Sequence, residues 1–188
     1  MKRELLFILQ FDYELQRISL RKYYEVRLDV LARCIIASFS RTLNDSVTTV
    51  TIVDKNKRCL VINEGELEPH DLEDELRVAK RICELVRNKQ FFSLGEVLER
   101  IIKRGNYALL ILDEGGIPIL EVLDALSKNY RLAIFIGGYK GFSEDIMEEI
   151  GKAMRPQVIS LGRIPYLSSM CILILKYILT RGPTCLVN

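Results

Sequence analysis

Three apolar, strand-like runs in the second half of the chain end in glycine: "LDEGG" at 112–116, "IGGYKG" at 136–141 and "SLGRIP" at 160–165. Glycine accepts positive φ and lets main chain approach a ligand closely. In an open parallel sheet, ligands bind outside the carboxyl ends of the strands. Loop tips of this kind, side by side, could hold a flat adenosine-like group through backbone N–H and C=O groups; they could equally be plain turns. None is a phosphate cradle. "IGGYKG" is neither G-x-G-x-x-G at a first βα turn nor a Walker loop with G-K-[ST]. A second group with chemical reach is Arg27, Asp29 and Arg33. Asp29 and Arg33 stand at i and i+4 and share a helix face. Such a pair is either an ordinary surface ion pair, worth under about 1 kcal/mol, or a carboxylate held for proton transfer. Metal chemistry is not expected: His70 is the single histidine, and the five cysteines (34, 59, 83, 171, 185) form no CxxC or ligand pair.

These residues need elements to place them. "LLFILQF" (5–11) reads as a buried strand, and "RLDVLARCIIASFSR" (27–41) as an amphipathic helix with Leu28, Leu31, Ile35 and Phe39 on one face. "VTTVTIV" (47–53) and "CLVINE" (59–64) read as strands. Residues 71–89 form a charged helix, and 93–105 another, with Ser93 as cap and Gly105 as stop. From there strands and helices alternate. "YALLILDEGG" is a strand ending in an acidic glycine turn, 117–129 a helix, and "RLAIFIGGYKGFS" a strand ending in a second glycine turn. "SEDIMEEIGKAM" is a helix with Ser143 at its start, "QVISLG" a strand, and 166–180 a last, nearly all-apolar helix. Near-continuous apolar strands alternating with helices imply an α/β fold: a mostly parallel sheet with helices on both faces. No repeat, linker or low-complexity stretch divides the chain, so residues 1–188 are read as one domain.

Composition narrows the classes. The chain has 188 residues, 49% apolar and 28% charged, with a net charge of +2, so it is globular and not disordered. Charge is segregated: seven acids and no Lys or Arg lie between Glu64 and Glu75, and no acid follows Glu149. The first forty-odd residues and the tail lean basic. Segregation of this kind can attract a polyanion at low net charge, or can simply mark solvated faces. An odd number of scattered cysteines and no signal peptide predict reduced, mostly buried thiols in a cytoplasmic protein. No apolar run approaches the ~20 residues of a membrane span.

A cofactor without a pyrophosphate suits the glycine tips, and S-adenosylmethionine fits: it carries adenosine, a sulfonium and an amino-acid tail. The segments "FIGGYKGFSEDI" and "ISLGRIPYLSSMCI" resemble the SPOUT-class methyltransferases, and within them the archaeal tRNA pseudouridine-54 N1-methyltransferases. Counted from Ile159, Cys171 falls where that family has a cysteine. "ISLRKYYEVRLDVLARCIIASF" is similar to the family's segment around an Arg-x-Asp, with Arg27, Asp29, Arg33, Cys34 and Phe39 in register after one gap, and "CLVINEGELE" to its acidic strand. The chain departs from the family at "YYEV", at "EPHDLEDEL" and at Leu167 to Met170, where the family has histidines.

The resemblance implies a C-terminal trefoil knot around S-adenosylmethionine, with Leu112, Gly137, Ser160, Leu161, Gly162, Ile164 and Cys171 at the cofactor. It implies Asp29 as base or base-positioner with Arg27 and Arg33, and Lys22, Arg155 and Arg163 meeting RNA phosphates, with Lys152, Arg155 and Arg163 at the mouth of the cofactor site. It implies a homodimer through the last helix and methyl transfer to N1 of a pseudouridine in tRNA. The alternatives are an rRNA methyltransferase, a non-catalytic RNA-binding or assembly protein on the same fold, and an unrelated nucleotide-binding module.

Overall fold

The computed structural model describes residues 3–40, 46–138, 141–162 and 166–181. Strand β1 (Arg3–Phe11) is apolar without a break from Leu5 to Leu9 because both its faces are covered there. Its side chains alternate between two cores: Leu5, Phe7 and Leu9 enter one, Ile8 the other. Parallel neighbours flank it, β2 (Ser46–Asp54) on one side and β6 (Arg131–Ile136) on the other. Next to β6 lies β5 (Ala108–Pro118), and beyond it β7 (Gln157–Ser160), both parallel. On the far side of β2, β3 (Arg58–Asn63) and the short β4 (Phe92–Ser93) pair antiparallel. The seven strands thus form one sheet in the order β4-β3-β2-β1-β6-β5-β7.

Helices α1 (Leu28–Phe39), α2 (Glu75–Asn88), α4 (Ile119–Ser127) and α6 (Ser168–Arg181) pack on one face. Helices α3 (Leu94–Arg104) and α5 (Glu144–Ala153) pack on the other. The units β1-α1-β2 and β5-α4-β6 move one way along the sheet across the first face; β6-α5-β7 moves the other way across the second. All three crossovers therefore share one hand, as parallel strands require. Phe7 and Phe135 are fully buried, one in each core, each stabilising the fold by about 1.5–3 kcal/mol.

Three expected elements have clearly different bounds. Residues 71–89 are not one helix: a 3-10 turn covers Asp71–Glu73, and α2 starts after Asp74. The Asp74 carboxylate accepts from Leu76 N (2.6 Å) and Arg77 N (3.2 Å), so its side chain caps a new helix in place of continuing an old one. The strand "YALLILDEGG" does not end at its glycines. β5 bulges between Leu112 and Ile117, then pairs again with β7 as Ile117–Ile159 and Pro118–Ser160. The helix expected from 117 starts at Ile119 instead. Gly116 makes this possible, since a Cβ there would lie 2.5 Å from the Ile159 carbonyl carbon.

Candidate active site

The carboxyl ends of β1, β6, β5 and β7 stand next to one another, and a cleft of about 580 Å³ opens over them. That is the size of a small-molecule site. Six of the residues expected at a cofactor, Leu112, Gly137, Ser160, Leu161, Gly162 and Cys171, line this one cleft. Ile164 and Arg163 fall outside the described residues.

Each tip is shaped by short-range bonds. After β6 the chain doubles back so tightly that Gly138 and Gly141 exchange both backbone hydrogen bonds, at 3.2 and 3.0 Å. A Cβ on Gly137 would sit 2.6 Å from the Gly141 carbonyl carbon, so no larger residue fits without moving backbone. After β7 the Gly162 N–H donates to Ser160 Oγ at 3.1 Å, with Gly162 at φ +125°. The Ser168 hydroxyl at the start of α6 donates to Gly137 O at 3.3 Å, tying that helix to the β6 tip. After Leu112 the Asp113 carboxylate accepts from Gly115 N at 2.8 Å, which shapes the bulge.

The cleft carries more acid than base. Asp12, Asp113 and Glu114 line it, and among the described lining residues Arg27 is the one Lys or Arg. Arg27 occupies the left-handed region (φ 52°, ψ 36°) immediately before α1. That conformation costs a non-glycine residue about 1 kcal/mol or more. Asp29 and Arg33 are not in the lining. The Asp29 Oδ2 accepts from Arg33 Nη2 at 2.7 Å, while Oδ1 is buried without a hydrogen-bond donor and lies 3.7 Å from Arg27 Nε. Arg33 also reaches Glu75 on α2, at 3.8 Å. The arrangement suits a carboxylate that orients Arg27, because the Asp29 oxygens point into this ion-pair chain.

Thiols form part of the wall. Cys34 on α1 and Cys171 on α6 both line the cleft. Burial pushes the Cys34 thiol up to about 12 and raises Cys171 as well, so these are small apolar wall groups and not thiolate nucleophiles. The described cysteines 34, 59, 83 and 171 are free. Among the described residues no group of His, Cys, Asp and Glu could hold a metal ion, and no helix is long and apolar enough to cross a membrane.

Of the basic residues expected to meet phosphates or to lie at the mouth of the cofactor site, the described ones sit elsewhere. Lys22 lines a separate shallow groove formed by Leu20–Glu25 and Glu73–Leu76. Lys152 and Arg155 lie at the end of α5 and just before β7, at the amino edge of the sheet. They are not at the mouth of the cleft, because a crossover helix returns the chain to the edge opposite the strand tips. The sequence reading missed Asp12, Gln10 and Tyr13, which line the cleft at the end of β1. Their signal was present, since "LLFILQFD" is a strand running into an acid, but the neighbours of that strand were not readable.

No protein-family model matches the sequence, and no curated protein matches it. Solved structures do match over nearly the whole chain. Archaeoglobus fulgidus Nep1, bound to S-adenosylhomocysteine, superposes with a TM-score of 0.66 at 16% identity, covering 96% of this chain and 99% of that one. The SpoU methyltransferase AviRb from Streptomyces viridochromogenes, in complex with AdoMet, gives 0.51 at 13% identity, covering 98% and 60%. Lpg2936 from Legionella pneumophila, in complex with SAM, gives 0.52 at 11% identity, covering 95% and 66%. This chain spans less than two thirds of AviRb and about two thirds of Lpg2936. The SPOUT-class likeness carried by the short motifs holds at the level of the fold: this chain has the fold of methyltransferases crystallised with S-adenosylmethionine or its demethylated product.

Proposed function

We propose that the protein is an S-adenosylmethionine-dependent RNA methyltransferase that methylates N1 of a pseudouridine in tRNA. The observation that carries the reading is the convergence of Leu112, Gly137, Ser160, Leu161, Gly162 and Cys171 on one cleft at the strand tips. The cleft fits the donor on its own chemistry. A sulfonium with an ammonium and one carboxylate is a net cation, and on the side of the β5 and β7 tips the lining offers Asp113 and Glu114. Apolar Leu112, Leu161 and Ile136 and the thiols suit an adenine, and the close-packed Gly137 tip exposes main chain to it. Bound there, the cofactor supplies an electrophilic methyl carbon whose leaving group is a neutral thioether.

The chain's own residues then position the acceptor. Asp29 and Arg33 hold Arg27 at the cleft; Arg27 faces the acceptor base or its phosphate, and positioning to within about 3–3.5 Å supplies much of the acceleration. Lys22 serves an outlying phosphate, as does Arg163. Arg155, at the amino edge of the sheet, reaches only an RNA long enough to pass both edges. The C-terminal trefoil knot and a homodimer through α6 belong to the same proposal. For the knot, the support is the order β6-β5-β7, in which β5 lies between two strands that follow it. For the dimer, it is the exposure of Met170 and Tyr177 on α6 and of Leu120 on α4.

Titration calorimetry with S-adenosylmethionine tests the cleft. Micromolar binding by the wild type and its loss in Gly137→Ala are expected, because the added Cβ must displace the Gly141 backbone. Absence of binding by the wild type sinks the reading. Mass analysis of tRNA and rRNA transcripts made with pseudouridine, after incubation with labelled cofactor, then distinguishes tRNA from rRNA as substrate.

A further inference from the structure

We propose that Asp12 is the catalytic base of the methyl transfer; the inference rests on the methyltransferase reading above. A base has to face the acceptor, and Asp29 does not. Its carboxylate is engaged by Arg33, with Arg27 the next charge, outside the cleft lining. Three other carboxylates do face the cleft. Asp113 is turned into its own bulge by the Gly115 N–H. Glu114 stands near Cys171, whose thiol is raised chiefly by burial and further by the Glu114 charge, on the side of the β5 and β7 tips. Asp12 is the one at the end of β1.

Sheet order decides what that position means. The close-packed tips expected at the cofactor follow β6, β5 and β7, and β1 is the next strand beyond β6. An acceptor entering over β1 and the start of α1 therefore meets Asp12 and Arg27 on its own side and the transferable methyl group on the other. Asp12 is also held ready. The backbone N–H of Ser143, at the start of α5, donates to Gln10 Oε1 at 3.0 Å. A backbone donor needs an acceptor, so it settles which end of the Gln10 amide is oxygen. The Gln10 Nε2 is then left to donate to Asp12 Oδ1, at 3.2 Å. Gly138 provides the room: a Cβ there would lie 2.7 Å from Asp12 Oδ1 and 3.0 Å from Oδ2. Residues from β1, the β6 tip and α5 thus orient one carboxylate at a cleft whose other described side-chain ion near the acceptor is a cation.

In the step, Asp12 takes the proton from the acceptor ring nitrogen. The nitrogen electron pair forms the new N–C bond to the methyl carbon. The electron pair of the breaking C–S bond returns to sulfur, and the sulfonium becomes a neutral thioether. Charge balances, and no metal or further reactant is needed.

Asp12→Asn keeps the shape and the space over Gly138 and removes the basic oxygen. Methyl transfer to an RNA hairpin transcribed with pseudouridine should fall at least ~100-fold, while calorimetry gives the same affinity for S-adenosylmethionine as the wild type. The deficit should shrink as pH rises and the acceptor loses its proton unaided. Asp12→Glu, which retains a carboxylate, should recover part of the rate. Transfer by Asp12→Asn at the wild-type rate overturns the proposal. So does a loss of cofactor affinity that accounts for the lost rate, since Asp12 is then a cofactor contact. A wild type that binds the cofactor and methylates no RNA sinks the methyltransferase reading and Asp12's role with it. That failure shows in the wild type, whereas a wrong assignment of Asp12 shows only in the variants.

Discussion

Lys176 is 1% exposed in the middle of an otherwise apolar helix. Its ammonium donates to Ser38 O (2.6 Å), Ser40 O (2.5 Å) and Ala37 O (3.3 Å). These are carbonyls of the last turn and cap of α1, which a helix leaves without internal partners. The negative end of the α1 dipole and a buried cation are thus satisfied together. Desolvation still lowers the Lys176 pKa from 10.5 to about 8, with Glu64 opposing. The folded value lies below the unfolded one, so between them the unfolded chain binds more protons and stability rises with pH. Wild type should therefore gain melting temperature relative to Lys176→Met between pH 7.5 and pH 10, a difference that paired thermal melts measure. Cys34 and Cys59 act in the opposite sense: burial raises them from 9.0 to about 12, and their contribution is lost as pH rises above the unfolded value. Both proteins share those thiols, so their effect cancels in the difference. A constant or shrinking difference would show that Lys176 is not titrating in this range.

Helix starts and stops obey local rules where the capping residues are local. Ser93 accepts from Glu96 N at 3.2 Å and Glu96 Oε2 accepts from Ser93 N at 2.7 Å, a closed capping box before α3. Gly105 ends that helix at φ +61°. Ser93→Ala should cost about 1 kcal/mol. In a domain of this size that lowers the melting temperature by roughly 2–4 °C, with cofactor binding unchanged, since α3 lies on the face away from α1 and α6. α6 shows the limit of the rule. It is apolar nearly all round, a pattern that suits either a core helix or a partner interface. Ile172, Leu175, Ile178 and Leu179 enter the core shared with α1, whereas Met170 and Tyr177 are exposed.

Leu120 on α4 and Met170 and Tyr177 on α6 are exposed groups on two helices of the same face of the sheet. An apolar surface of this kind marks an association site more often than bare solvent contact. Sedimentation equilibrium should give a dimer for the wild type and a shift to monomer for Met170→Glu with Tyr177→Glu. A wild-type monomer at working concentration would remove the dimer from the proposal. Charge acts at the same scale. The acidic stretch from Glu64 to Glu75 lies on the side of the antiparallel edge and the start of α2, and the acids that matter to the cleft, Asp12, Asp113 and Glu114, come from elsewhere in the chain.

The alternation of apolar strands with helices, the Ser93 and Gly105 boundaries and the glycine tips were legible because each depends on residues a few positions apart. The same holds for the cleft wall at Gly137, Gly162 and Cys171, which short motifs pick out. Strand order was not legible: it depends on which apolar runs bury one another across more than a hundred residues, and any of several orders satisfies the same local pattern. That order decides which tips share a cleft. It brings Asp12, over a hundred residues away in sequence, beside the Gly138 tip, and it sets Arg27 and not its ion-pair partner Asp29 in the cleft lining. Spacing along a chain shows which groups could act, whereas a charge acts over a few ångströms, and only the folded packing determines what lies within that reach.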